Sequence, residues 1–222
     1  MATKQTAKNT ETVSPIPAEW PGAFGLYKHS KVIMMVNVGV FVALNLLAIV
    51  FTAMLNLLSP KMHMGDLASF LLGPIVSVGS ILLFFAGIKK KQLSFNETVN
   101  QALPFWIRML GLTVLVAVVS LLSILALIIP AFFVIPRLVL AKYFMVDQDM
   151  GIMEAYKASW RATEGHIGKV WGIFGAYFVY TLLFITIIGI PFAIYFLVMY
   201  SASYAVLYEM VKAPRAKRTT KK

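Results

Sequence analysis

Apolar positions along the chain gather into four long runs, at 32–58, 67–88, 107–145 and 170–211, separated by short polar segments. Each of the first two is long enough for one helix across a hydrocarbon core, which needs about 20 residues. The third would extend ~58 Å as one helix at 1.5 Å per residue, against a core of about 30 Å, so it must turn back. Pro130, with Pro136 behind it, is the strong turn signal there, because proline removes a helix hydrogen bond and starts a new helix readily. The fourth run poses the same problem and carries Gly189, Ile190 and Pro191 near its middle, a glycine stop followed by a proline. The pattern predicts an all-α membrane protein with six spans, at about 32–58, 67–88, 107–129, 131–147, 170–189 and 191–211.

The polar segments have their own order. Ser94 with Glu97 fits a capping box, in which the hydroxyl accepts from an exposed N–H and the carboxylate reaches back. Gly151 with Glu154 aligns with it, and both sites lead into apolar runs broken by a proline. Apolar residues recur at helical spacing behind each start and end on Trp106 and Trp160, which predicts short amphipathic helices at the membrane interface, about 94–106 and 151–164. A weaker third copy begins at 22–31 and runs through the first two spans, with Pro74 in place of Pro130. The unit is thus an interfacial helix plus a membrane hairpin, duplicated and in weaker form triplicated. Residues 1–19, with Pro15 and Pro17 and no apolar core, read as a disordered tail rather than a signal peptide, and 213–222 as a basic tail around a single membrane domain at 20–212.

Charge then fixes an orientation. Twenty Lys and Arg face nine Asp and Glu, a net charge of +11, while 59% of the chain is apolar, well above the roughly 45–50% of soluble domains. The basic residues gather in both tails, at Lys89, Lys90 and Lys91, and around Lys157, Arg161 and Lys169, whereas on the other face only Lys61 lies between spans. The positive-inside rule places both termini in the cytoplasm of a multi-pass cell-membrane (bacterial inner-membrane) protein. Such a balance in so apolar a chain points to anionic lipid headgroups as partners, not to nucleic acid. Zero cysteines exclude disulfides and thiolate metal sites.

With those spans in place, Arg137 and Lys142, then Glu154, Ala155, Ser159, Trp160, Arg161 and Gly165, resemble the pattern of the glycerophosphoryl diester phosphodiesterase membrane-domain family over about 93–210. That pattern is a proline-broken hairpin ending in an arginine-containing helix, a loop with Glu-Ala and Ser-Trp pairs, a glycine, and another hairpin. The usual Pro-Gly of the first turn is here Pro130-Ala131. The family is named for members fused to a phosphodiesterase domain with no counterpart in these residues, so the resemblance implies the membrane architecture and no activity.

Enzymatic chemistry has little to work with. His29, His63 and His166 share no metal-ligand spacing, and phosphate loops, H-E-x-x-H and G-x-S-x-G are missing, so neither enzyme nor cofactor nor metal is expected. Arg137 is the sharpest residue, an ionisable group about 10 Å from the turn at Pro130, with Lys142 five positions on. Either both snorkel, or Arg137 bonds carbonyls freed by a proline break, or they contact a headgroup or substrate anion. Asn45, Thr52 and Asn56 fall on one line of the first span, a stripe for inter-helix amide bonds or a hydrated path. Ser159, Trp160, Arg161, Gly165 and Lys89 to Lys91 form an expected anchor or docking surface for a lipid or partner, and Gly168, Gly172 and Ala176 a small-residue face for helix packing, within the chain or between copies. The expectation is a lipid-associating scaffold or accessory subunit. The alternative is a transporter or lipid-moving protein in which Arg137 and the Asn45 face contact an anionic headgroup or solute.

Overall fold

A computed structural model describes residues 13–58, 64–126, 128–186 and 189–212. The described chain is predominantly helical, with no strand among the described residues. Its elements are α1 (Leu26–Leu58), α2 (Met64–Ile88), α3 (Phe95–Ala102), α4 (Trp106–Ala126), α5 (Ile128–Leu138), α6 (Ala141–Gln148), α7 (Ile152–Ala162), α8 (Ile167–Leu182), α9 (Gly189–Tyr200) and α10 (Ser203–Val211). Short 3₁₀ turns, Leu103–Phe105 and Leu183–Ile185, join α3 to α4 and follow α8.

Among the described residues, five helical segments are long and apolar enough to cross a membrane: Leu26–Leu58, Met64–Ile88, Phe95–Ser123, Ile167–Ile185 and Gly189–Val211. Large apolar side chains lie bare on these helices, Leu57, Leu125 and Ile185 being at least 73% exposed, an arrangement that suits lipid and not water. The fourth expected span, 131–147, is not one helix. Pro136 stands inside α5, and the helix breaks at Val139 and Leu140 before α6 begins. The expected interfacial helix at about 94–106 is not separate from the span that follows it, because α3, the 3₁₀ turn at Pro104 and α4 form one nearly continuous helical run. Gly189, expected to end the fifth span, instead opens α9, its N–H donating to the Thr186 hydroxyl, and a Cβ there would meet the Leu183 carbonyl oxygen.

The α1–α2 pair is the most extensive packing in the fold. Gly87 lets it close: a Cβ there would strike the Ile33 carbonyl. The kink in α1 at Asn37 has a clear cause. Its φ of −130° and ψ of 22° leave the helix, and its side chain takes over the hydrogen bonding, donating to Lys91 O at 3.0 Å and Leu83 O at 3.4 Å and accepting from Leu93 N–H at 3.0 Å. A buried amide that satisfies three backbone groups fixes both the kink and the exit from α2. The expected Ser94 cap forms: Glu97 N–H donates to Ser94 Oγ, and Ser94 N–H to Glu97 Oε2 at 2.9 Å. At Gly151 only the carboxylate half is possible, Gly151 N–H donating to Glu154 at 3.3 Å.

The buried core gathers where α2, α6 and α10 meet. Phe85, Tyr143 and Tyr208, one from each, form a triangle of rings with centroids 5.7 to 6.3 Å apart. Tyr208 donates to Asp147 at 2.8 Å, and Lys212 bridges Asp147 and Glu209. Arg108 pairs with Asp149 at 2.7 Å, so the start of α4 and the end of α6 lie together. Of the expected tail, 13–19 is tied to the fold, Ser14 O lying 2.6 Å from His29 Nδ1. Residues 1–12 and 213–222, with Lys61 and His63, lie outside the described residues.

Candidate functional site

The site grows from the faces that α1 and α2 turn away from each other's tightest contact. On α1, Asn45 and Thr52 satisfy part of their own polarity locally, Asn45 donating to Phe41 O at 2.8 Å and Thr52 to Ala48 O at 2.9 Å. Opposite them, α2 presents Ser69, Gly73, Ser77 and Ser80, at steps of four, four and three that keep them on one side of the helix. Between these walls, and lined further by α6, α8 and the start of α10, is an open cavity of about 510 Å³. Lys142 and Tyr143 reach it from α6, Tyr177 from α8, and Ser201 and Tyr204 from the chain around the α9–α10 break.

Lys142 is the cation of this cavity. Its ammonium sits 5.5 Å from the Tyr143 ring centroid, and among the described residues no carboxylate pairs with it. Tyr204 stacks on Tyr177 at 6.0 Å, and its hydroxyl is buried without a hydrogen-bond partner. A buried hydroxyl normally has a partner, and a half-buried ammonium with no carboxylate beside it among the described residues leaves its charge to be balanced from the cavity. Both groups therefore favour an anionic or strongly accepting occupant.

A second cavity of about 400 Å³ adjoins the first between α4, α5 and α8. Met109, Leu112, Val116, Ile135, Leu138 and Phe174 make its walls mostly apolar. Ser77, Lys142 and Tyr204 line both.

The expected contact residues separate into two groups. Lys142, Asn45 and Thr52 come together in the polar cavity. Asn56 does not join them, because its side-chain oxygen accepts from Gly65 N–H at 3.0 Å and closes the α1–α2 connection. Arg137 lines neither cavity. Its guanidinium stacks over Trp160 at 4.6 Å, its Nε is buried without a partner, and its carbonyl accepts from Ser159 Oγ at 2.5 Å.

The expected docking surface divides as well. Ser159 is fully buried and so holds α7 to α5 and is no surface group, whereas Arg161 and the three lysines Lys89, Lys90 and Lys91 are exposed. Gly165, at φ +74°, makes the turn between α7 and α8 that a residue with a Cβ would strain. Of the small-residue face, Gly172 approaches Ala23 and Ala176 is buried, but Gly168 has open space beside it. Among the described residues no cluster of metal-ligating side chains exists.

Sequence reasoning missed the α2 serines and the tyrosines. The serine spacing was a visible signal on one helix face; the tyrosines, scattered over three elements, gave none.

The arrangement defines a class, a helical membrane protein with a cationic, hydroxyl-rich cavity among its apolar helices. No known family, no curated protein and no solved structure matches the chain.

Proposed function

We propose that the chain is a six-span cell-membrane protein, built from repeated hairpin units with both termini cytoplasmic, that binds an anionic group in the Lys142 cavity. The observation that carries the binding reading is an ammonium at the wall of a hydroxyl-lined cavity, with no carboxylate beside it among the described residues. An ionisable side chain inside a membrane domain is a functional group by default, and its missing counter-charge here is the ligand's. Anionic lipid headgroups and small anionic solutes share that chemistry. A lipid-associating scaffold or accessory subunit is the role that such binding serves without catalysis.

Several contacts support the repeat. Lys90 and Asp149, each closing the return arm of a hairpin, both take left-handed backbone, at φ 54° and 52°. Glu97 and Glu154 each accept from the backbone at the start of the next short helix. Trp106 then donates to Leu71 O at 2.8 Å, and Trp171 to Phe132 O at 3.3 Å, each tying a new apolar helix to the return arm of the preceding hairpin. Ser159 on Arg137 O and Ser30 on Met199 O, at 2.6 Å, extend the scheme, the latter bringing the first unit onto the last. The Arg108–Asp149 pair favours α5 and α6 together as the return of a hairpin, and so an even number of crossings.

The test is native mass spectrometry of the full chain titrated with inorganic phosphate, phosphatidylglycerol and phosphatidylcholine. The expected result is retention of at least one anion by the wild type and roughly 30-fold weaker retention by Lys142→Gln. That factor corresponds to about 2 kcal/mol, the lower end of what removing one partner of a buried charge pair costs. Equal retention of anions by the two proteins, or no anion retained, overturns the reading.

A further inference from the structure

The polar cavity does not stand alone, and its neighbour has the opposite chemistry. The walls of the second cavity are hydrocarbon from Met109, Leu112 and Val116 on α4 and from Ile135 and Leu138 on α5. Its volume, about 400 Å³, falls within the range of ligand sites, and its mostly hydrocarbon walls match an apolar chain and not a charged group. Where the two spaces meet stand Ser77, Lys142 and Tyr204, the residues common to both. One of the three is the cation that pairs with no carboxylate among the described residues, and another bears the buried hydroxyl without a hydrogen-bond partner.

A small inorganic anion would satisfy the collar and leave the apolar space beside it unfilled. A neutral hydrocarbon would fill the apolar space and leave the ammonium bare. A molecule with an anionic head and a hydrocarbon chain does both at once. We infer that the ligand is an anionic amphiphile, its head held by Lys142 and Tyr204 and its chain lying between α4, α5 and α8. This rests on the anion reading of the Lys142 cavity and adds to it the chain and the place of the chain. Desolvation of the chain supplies affinity roughly in proportion to the apolar area buried, while the collar supplies charge selectivity.

The experiment uses the full chain in nanodiscs of phosphatidylcholine, with retention of inorganic phosphate, butyl phosphate and dodecyl phosphate measured by native mass spectrometry on release. Val116→Trp fills the apolar space from a half-buried position on α4, and Thr113→Leu, on the same helix, serves as a milder second filling should the first fold poorly. The expected result is about tenfold or greater preference of the wild type for dodecyl over butyl phosphate, reduced to near unity by the filling variants, with retention of inorganic phosphate unchanged by them. Dodecyl phosphate retained no better than inorganic phosphate, or a chain-length preference untouched by both fillings, overturns the amphiphile and leaves an anion site for small solutes. No retention of any phosphate species, or retention indifferent to Lys142→Gln, instead overturns the anion reading itself.

Discussion

Two cations only five positions apart in the sequence, Arg137 and Lys142, have opposite roles because their surroundings differ. Arg137 is held by packing, its guanidinium over Trp160 and its carbonyl under Ser159. Lys142 has an aromatic neighbour and a cavity. Arg137→Ala should therefore lower the melting temperature, losing about 0.5–2 kcal/mol of cation–π attraction, and leave anion retention as it was. Lys142→Met should do the reverse, abolishing retention and, in ligand-free protein, matching or raising the melting temperature because a half-buried cation without a counter-ion is removed. Scanning fluorimetry and native mass spectrometry on the two variants separate these outcomes; a melting loss on Lys142→Met with retention intact would reverse the assignment. Asn37 is a third case. Asn37→Ala strands Leu93 N–H and Lys91 O, and should cost about 1–3 kcal/mol in the same melting assay.

At the scale of elements, glycines distinguish packed helix faces from free ones. Gly87→Ala forces a Cβ against the Ile33 carbonyl and should destabilise by about 1–3 kcal/mol, while Gly175→Ala, with open space beside it on α8, should be neutral or stabilising by up to ~1 kcal/mol. Equal melting shifts for the two would show that α1 and α2 do not close as described. Sequence reading found the helices and their caps well, because apolar runs and a Ser-Glu pair are local signals. It placed Gly168 on a packing face from spacing alone, but spacing says nothing of what lies opposite. It expected a turn at Pro130, which lies inside α5 just after its start at Ile128, and it missed the break at Val139 and Leu140. Asn45 and Thr52 were legible as a polar stripe on α1. Their partner serines on α2 were legible by the same rule, whereas the tyrosines became neighbours only through tertiary packing.

For the whole molecule, the number of crossings decides how the cavity faces the cell. Six crossings put Lys91 and Gly151 on the same side; five would put them on opposite sides, since the segment at 128–148 would then not cross. The chain has no cysteine, so Lys91→Cys and Gly151→Cys each give a unique thiol. A membrane-impermeant thiol reagent should label both from the cytoplasmic side and neither from the outside. Labelling of the two from opposite sides would support five crossings. Basic residues predict this orientation from the sequence, but a broken helix of modest length such as α5 or α6 does not announce by itself whether it spans.

The central claim is that the Lys142 cavity holds an anionic group, and the most direct measurement is a cryo-electron microscopy map of the full chain in nanodiscs containing phosphatidylglycerol. Ligand density is expected against the Lys142 ammonium and the Tyr204 hydroxyl, and is expected to be absent from the map of Lys142→Gln prepared in the same way. A map in which α1, α2 and α6 close on one another with no density at Lys142, or in which a carboxylate of the chain occupies that place, would contradict it.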